Sequence, residues 1–274
     1  MELETRVAQH YGHDSLERTI LAALADAGKD LDKLTAADLA AVDEFHIGGR
    51  EATIDLAQRL GATPGMRLLD IGAGLGGASR YFASERGCDV TGLDLTAAYV
   101  SAAEALAARV GLQAKVRYRQ GSATRLPFAD AAFDGAYLMH VGMNIADKAA
   151  AFAEFRRVLA PGGGLAIYDV MREAPGDLSF PLPWASDPAT SFVETAATYA
   201  ELLAGARFEA SPPLSRREFA IGFFERMMAA SAGGPPPLGL HILMGATTPQ
   251  KTTNLLALLR RGLLAPTVIV ARAI

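Results

Sequence analysis

The chain has 274 residues, half of them hydrophobic and one fifth charged, with a formal net charge of −4 at pH 7, which is enough for one large domain with its own core and excludes a disordered or fibrous protein. The acidic balance argues against nucleic acid or an anionic membrane surface as partner, since both reward clustered Lys and Arg. The polar start, the lack of a run of about 18 apolar residues and the lone Cys88 lead us to expect a cytoplasmic protein with no membrane segment and no intrachain disulfide, Cys88 being a small buried side chain.

Residues 1–47 read as helices, with SLERTILAALADAG showing apolar spacing near 3.6, and end in the loop DEFHIGG at 43–49. From there on, short apolar runs alternate with helix-length segments at the rhythm of a parallel sheet covered by helices. The expected strands are LLDI at 68–71, VTGLDL at 90–95, KVRYRQ at 115–120, FDGAYLM at 133–139, GLAIYDV at 164–170, RFEA at 207–210 and TVIVARA at 267–273. Helices are expected over 78–87, 97–111, 148–160 and 191–206, several ending at a Gly or Pro stop. A Pro-rich irregular piece at 172–190 and a long excursion at 212–262, with a helix pattern over 215–231 and the turn GGPPPLG, fall outside this alternation.

The strand carrying Asp70 runs into Gly72-Ala73-Gly74-Leu75-Gly76-Gly77 and then a helical pattern. A glycine turn there lets a ligand lie against bare backbone near the positive end of the helix dipole. The spacing matches the dinucleotide turn G-x-G-x-x-G, and Asp94 stands where that fingerprint wants a ribose-binding carboxylate. By itself the turn leaves more than one nucleotide cofactor open.

Four pieces in order narrow it: Asp70-Ile71-Gly72-Ala73-Gly74, Gly92-Leu93-Asp94-Leu95, LPFADAAFDGAYLMH at 126–140 and LAPGGGLAIYDV at 159–170. The set resembles class I S-adenosylmethionine-dependent methyltransferases over about residues 50–211, and DEFHIGG with MHVGMNI at 139–145 is similar to the sarcosine and dimethylglycine type. The resemblance implies an α/β fold with a Rossmann-like, seven-stranded, mostly parallel sheet flanked by helices, the last strand antiparallel. It implies a helical N-terminal lid over 1–47, a methyltransferase domain over 48–274 and substrate-cap insertions at about 172–190 and 212–262. The cofactor it implies is S-adenosyl-L-methionine, with S-adenosyl-L-homocysteine as product and a small molecule as acceptor. An amine nitrogen is the first acceptor, and the oxygen or carbon of a natural-product or quinone precursor the next. A cofactor-binding protein without methyl transfer and a nicotinamide oxidoreductase stand as alternatives, and the oligomeric state stays open.

On that resemblance Asp94 accepts both ribose hydroxyls, a carboxylate binding a diol in a forked manner, or else caps the following helix. Leu95 packs on adenine, while Gly72, Ala73 and Gly74 bring the methionine part onto the backbone. Asp70 orients the turn or receives the ammonium group. Where many relatives have an acidic residue for the adenine amine, this chain has Gly121-Ser122-Ala123, so the Ser122 hydroxyl and the Ala123 amide take that place; Met139 completes the cofactor set.

A general base is needed only when the acceptor must lose a proton, and histidine is then the natural choice. The candidates are His140 at the end of a core strand, His46 in DEFHIGG and His241 in the late insertion, ahead of His10 and His13. Asn144 reads as a loop cap, with substrate orientation as its other role. Trp184, Tyr11 and Tyr199 are candidates for a chamber wall suited to a cation or a ring, Tyr199 being better read as packing. Phe223, Phe224, Met227 and Met228 read as helix packing. No metal is expected: Asp169 is followed by Val170, not by a second ligand.

Overall fold

The computed structural model describes residues 2–11, 16–230 and 238–274. The expectations for His13, for residues 233–237 of the GGPPPLG turn and for the side chains of His10 and Tyr11 lie outside the described residues. Three helices lead in: α1 (Glu2–Tyr11), α2 (Leu16–Asp26) and α3 (Ala36–Asp43). α2 buries Leu16, Ile20 and Leu24, one helical stripe, in a cluster with Leu39 and Val42 and with Tyr99 and Leu106 of the main domain. Such spacing makes one face apolar, and that face seeks cover.

The main domain alternates α4 (Gly49–Leu60), β1 (Arg67–Ile71), α5 (Gly77–Arg86), β2 (Asp89–Asp94), α6 (Ala97–Arg109), β3 (Val116–Gln120), β4 (Phe133–Met139), α7 (Lys148–Val158) and β5 (Leu159–Arg172). It closes with α8 (Ala196–Gly205), β6 (Phe208–Ala210), β7 (Leu214–Ser215), α9 (Arg217–Ala230), α10 (His241–Met244), α11 (Thr248–Arg260) and β8 (Leu264–Ala273). The sheet runs β3-β2-β1-β4-β5-β8-β6, with β7 pairing β8 off that path. Strands β1 to β5 pair in parallel, and β8 lies antiparallel between β5 and β6. The expected mostly parallel sheet with an antiparallel last strand is therefore present, but it has eight strands, not seven. The extra one is two residues long, Leu214↔Val268 and Ser215↔Thr267, too short to leave an alternating pattern in the sequence.

Helices on both faces make the central strands apolar on both sides. Leu68, Leu69, Ile71, Ala136 and Leu138 are all buried, and they divide between two clusters on opposite faces of the sheet. Cys88 is buried in the second of these, as expected. Because β1 sits between β2 and β4, the chain order reverses at β1/β4, and a ligand crevice belongs outside the carboxyl ends of these strands. Among the described residues no helix is long and apolar enough to cross a membrane.

Candidate active site

The loops after β1, β2, β3 and β4 open on a cavity of about 370 Å³, walled on its other side by α1, the DEFHIGG loop, α9, α10 and α11. The glycine turn forms one end. Gly72 has φ +74°, and a Cβ there would meet Val141 Cγ1 at 2.7 Å, so the position has room only for glycine. Its N–H and that of Ala73 donate to the Leu93 carbonyl at 2.8 and 2.9 Å, which ties the turn to β2. Gly74, at φ +54°, has nothing within 4 Å of the place a Cβ would take, leaving bare backbone on the cavity wall.

Asp94 staples this end together. Its Oδ2 accepts the Gly74 N–H and its Oδ1 the Thr96 N–H, each at 2.8 Å. Thr96, not Asp94, is the N-cap residue of α6. Each of its oxygens thus holds one of these N–H groups, and Asp94 itself lines the cavity. Burial raises the Asp94 pKa while the backbone donors pull it back. Leu95, Ser122, Ala123 and Met139 also line the cavity. Ser122 Oγ donates to a carboxylate oxygen of Glu4 in α1 and lies 2.8 Å from Thr124 Oγ1.

Asp70 is buried, accepts the Ser79 hydroxyl at 2.6 Å, and burial pushes its pKa up to about 7. It also forms part of the wall. Asp43, the last residue of α3, pairs with the buried Arg80 through Oδ2. Its Oδ1 is buried and has no hydrogen-bond donor among the described residues. Two carboxylates on the cavity wall with the glycine turn, one with an orphaned oxygen, are acceptors suited to the ammonium group of an amino acid moiety. A forked carboxylate one strand further suits a ribose, so the residues present fit S-adenosylmethionine. Asp43 was not among the residues the sequence singled out, although it opens the quoted phrase DEFHIGG.

The structure brings two of the three histidines together. His140 follows β4 with φ +57°, a left-handed backbone that His tolerates better than most side chains. Its Nδ1 faces the Tyr168 carbonyl at 3.3 Å and its Nε2 accepts the Ile47 N–H at 3.4 Å. Burial lowers its pKa to about 3, so the ring is neutral near pH 7. His46 lies 6.2 Å away, centroid to centroid, with Nε2 3.1 Å from the Gly49 carbonyl and 3.1 Å from Thr53 Oγ1. Burial holds it down to about 4, so its 3.4 Å approach to Glu44 is not an ion pair near neutrality. Both line the cavity. His241 does not: it opens α10, while its neighbours Leu240 and Leu243 form the wall.

Part of the cavity wall is apolar. Met143, Trp184, Phe223, Phe224, Met227 and Leu255 form it. The stripe expected as helix packing is thus also a cavity wall, with Met228 left exposed. Trp184 is held by a 2.9 Å bond from Nε1 to Ser191 Oγ. Asn144 Nδ2 donates to the Trp184 and Thr190 carbonyls at 2.9 and 3.0 Å, the loop-fixing role expected of it. Tyr199 is buried away from the cavity and donates to Asp169 Oδ2 at 2.6 Å. Among the described residues that line the cavity, Glu4, Asp43, Asp70, Asp94 and Asp147 are acidic and none is Lys or Arg.

A mostly parallel sheet whose strand order reverses at β1/β4, with a glycine turn after β1 and a carboxylate at the end of β2 on one cavity, has the arrangement of a nucleotide-binding α/β domain. Residues 69–167 match the family described as "Methyltransferase domain", and this part of the chain is a methyltransferase domain of the class I, S-adenosylmethionine-dependent type. The chain is 36% identical over 114 residues to sterol 24-C-methyltransferase ERG6B of Gibberella zeae, covering 42% of this chain and 30% of that protein. It is 35% identical over 125 residues to phosphoethanolamine N-methyltransferase 3 of Arabidopsis thaliana, covering 46% and 25%. It therefore spans less than half the length of either relative. Among solved structures it is similar to geranyl diphosphate C-methyltransferase of Streptomyces coelicolor in complex with S-adenosyl-L-homocysteine, with TM-score 0.73, 18% identity and coverage of 100% and 99%. A structure described as "a putative sarcosine dimethylglycine methyltransferase from Galdieria sulphuraria" gives TM-score 0.67, 20% identity and coverage of 81% and 84%. The [4+2]-cyclase SpnF gives TM-score 0.64, 24% identity and coverage of 81% and 80%. At these identities the solved structures speak to the fold.

Proposed function

We propose that this chain transfers a methyl group from S-adenosylmethionine to the nitrogen of a largely apolar small amine. The observation that carries the reading is the joining, in one cavity, of the Gly72–Gly74 turn and Asp94 with an aromatic and methionine-lined chamber. Asp94 would hold the ribose, Asp70 and Asp43 the ammonium group, and Leu95 with Ser122 and Ala123 the adenine side. The bound cofactor supplies a methyl group already activated on a sulfonium. What the protein adds is alignment of the acceptor and exclusion of water.

The choice of acceptor atom rests on the histidines. A phenol, with a pKa of about 10, must lose its proton, and neutral rings held near 3 and 4 are too weakly basic to take it. An amine can leave its proton with bulk water on entry, because an apolar chamber favours its neutral, nucleophilic form. The neutral nitrogen then attacks without a base, the N–CH3 bond forming as the S–CH3 bond breaks, and the product leaves as an ammonium. The acidic wall attracts an ammonium group on the way in, whereas the described lining holds no Lys or Arg to pair with a phosphorylated acceptor. The N-terminal helices act as the lid of this site, a role supported by Glu4, Val7, Asp43 and His46 lying on the cavity wall. The test is a product assay on the pure protein with a mixed library of apolar amines, phenols, quinones and phosphorylated amines, reading S-adenosylhomocysteine release and product mass. N-methylated apolar amines are expected. Methylation confined to phenols or phosphorylated acceptors would overturn the acceptor assignment, and cofactor binding with no product from any class would point to a domain without methyl transfer.

A further inference from the structure

We infer that Glu4, in the N-terminal helix, is a cofactor-specificity residue that accepts a hydrogen bond from the exocyclic amine of adenine. The inference rests on the S-adenosylmethionine reading above and adds a residue to it. The strand order fixes where the base must lie. The glycine turn follows β1, Asp94 ends β2, and the next strand outward is β3. With the amino acid part over β1 and the ribose at Asp94, the base extends over the end of β3, where Gly121, Ser122, Ala123 and Thr124 line the cavity.

Adenine presents an amine with two N–H donors, and a site that discriminates it must offer an acceptor. Residues 121–124 carry no carboxylate. Their two hydroxyls, Ser122 Oγ and Thr124 Oγ1, face each other at 2.8 Å, and Ser122 Oγ directs its single proton to Glu4. The carboxylate missing from this stretch is therefore delivered from 118 residues away by α1. Glu4 lines the same cavity and is half-buried there. One bond from Ser122 leaves further acceptor sites on it open. The rest of α1 is placed to support this contact. Leu3 and Val7 line the cavity with Glu4, and Arg6 forms a 3.7 Å surface pair with Asp187 of the Pro-rich loop. Binding of the base would thus also hold α1 down, so that cofactor recognition and closure are one event.

The test compares two ligands by titration calorimetry: S-adenosylhomocysteine, and S-inosylhomocysteine, in which a ring carbonyl replaces the amine. The wild type should prefer the adenosyl compound by tenfold or more, the range expected of a hydrogen bond to a charged group, about 1.5–3 kcal/mol. Glu4→Ala should bring the preference to within about threefold, and Glu4→Gln, which keeps one acceptor oxygen at the same length, should fall between. Melting curves of the variants without ligand establish that they are folded; Glu4 is a half-buried helix position outside the sheet. An undiminished preference in Glu4→Ala overturns this inference alone. Failure of the wild type to bind either compound overturns the cofactor reading, and this inference with it.

Discussion

Ile47 donates its backbone N–H to His140 Nε2 at 3.4 Å, and its carbonyl receives the Tyr168 hydroxyl at 3.0 Å. The DEFHIGG loop is in this way bound on both sides to the carboxyl ends of β4 and β5. His140 holds the closing segment against the sheet, and its two ring nitrogens are already engaged. On the proposed function, a histidine so engaged would act by placing the loop and not by removing a proton.

Replacing His140 by Asn, which tolerates the same left-handed backbone, should therefore lower turnover with an amine by less than tenfold, well short of the roughly 10² to 10⁴ that a positioned general base supplies. Steady-state kinetics at saturating cofactor check this. A loss of a thousandfold with unchanged cofactor affinity would restore His140 as the base.

The same substitution has a pH signature. His140 has a folded pKa of about 3 against an ordinary value of 6.5, so stability is fully present above about 6.5 and is lost as pH falls toward the folded value. One unit of separation corresponds to about 1.4 kcal/mol. Between pH 7 and pH 5 the wild type should lose about 2 kcal/mol relative to His140→Asn, read from urea unfolding at the two pH values. A pH-independent difference between the two proteins would contradict the burial argument.

Gly72→Ala should destabilise the domain by about 1–3 kcal/mol or more, because overpacking adds to a positive φ. The built Cβ would lie 2.7 Å from Val141 Cγ1. Val141→Ala in the same chain should relieve only the steric part. Chemical denaturation of the single and double variants measures both contributions, and a neutral Gly72→Ala would mean that the turn is not the tight structure described.

Phe223 is half-buried in the apolar wall, so Phe223→Ala should raise the acceptor KM several-fold while leaving the affinity for S-adenosylhomocysteine within twofold. An equal effect on both ligands would show that the wall does not belong to a separate acceptor chamber.

Much of this was legible in the sequence, and the reasons are physical. The central strands β1, β4 and β5 are largely buried on both faces and read as near-continuous apolar runs, whereas the edge strand β3 alternates; the dense glycines of residues 72–77 mark a tight turn. The ligand edge followed from the topology rule, and Asp94, Asp70 and His140 all lie on it. Glu4 was not legible. It is one acid in a polar helix, and its partner Ser122 stands 118 residues away. Asp43 was hidden in the same manner, since only burial against Arg80 sets it apart from a surface acid. The aromatic stripe of α9 has the same periodicity whether it packs on a core or walls a cavity. His241, chosen by residue type and a nearby turn, has its side chain off the cavity that its neighbours line.

Asp94 carries the central claim, and its loss gives the most specific variant. Asp94→Ala removes acceptors from the Gly74 and Thr96 N–H groups as well as from the ribose. Affinity for S-adenosylhomocysteine should fall by at least the 1.5–3 kcal/mol of a charge-assisted hydrogen bond, roughly tenfold to more than a hundredfold. Unchanged calorimetric affinity would leave Asp94 with a purely structural role.

The most direct measurement is the thermal shift of the wild-type chain with S-adenosylhomocysteine and, separately, with NAD. Ligand at a hundredfold over its dissociation constant stabilises a protein by about 2.7 kcal/mol, a shift of several degrees for a domain of this size. A rise with S-adenosylhomocysteine and none with NAD is the predicted result. A rise with NAD alone, or with neither, would contradict the account.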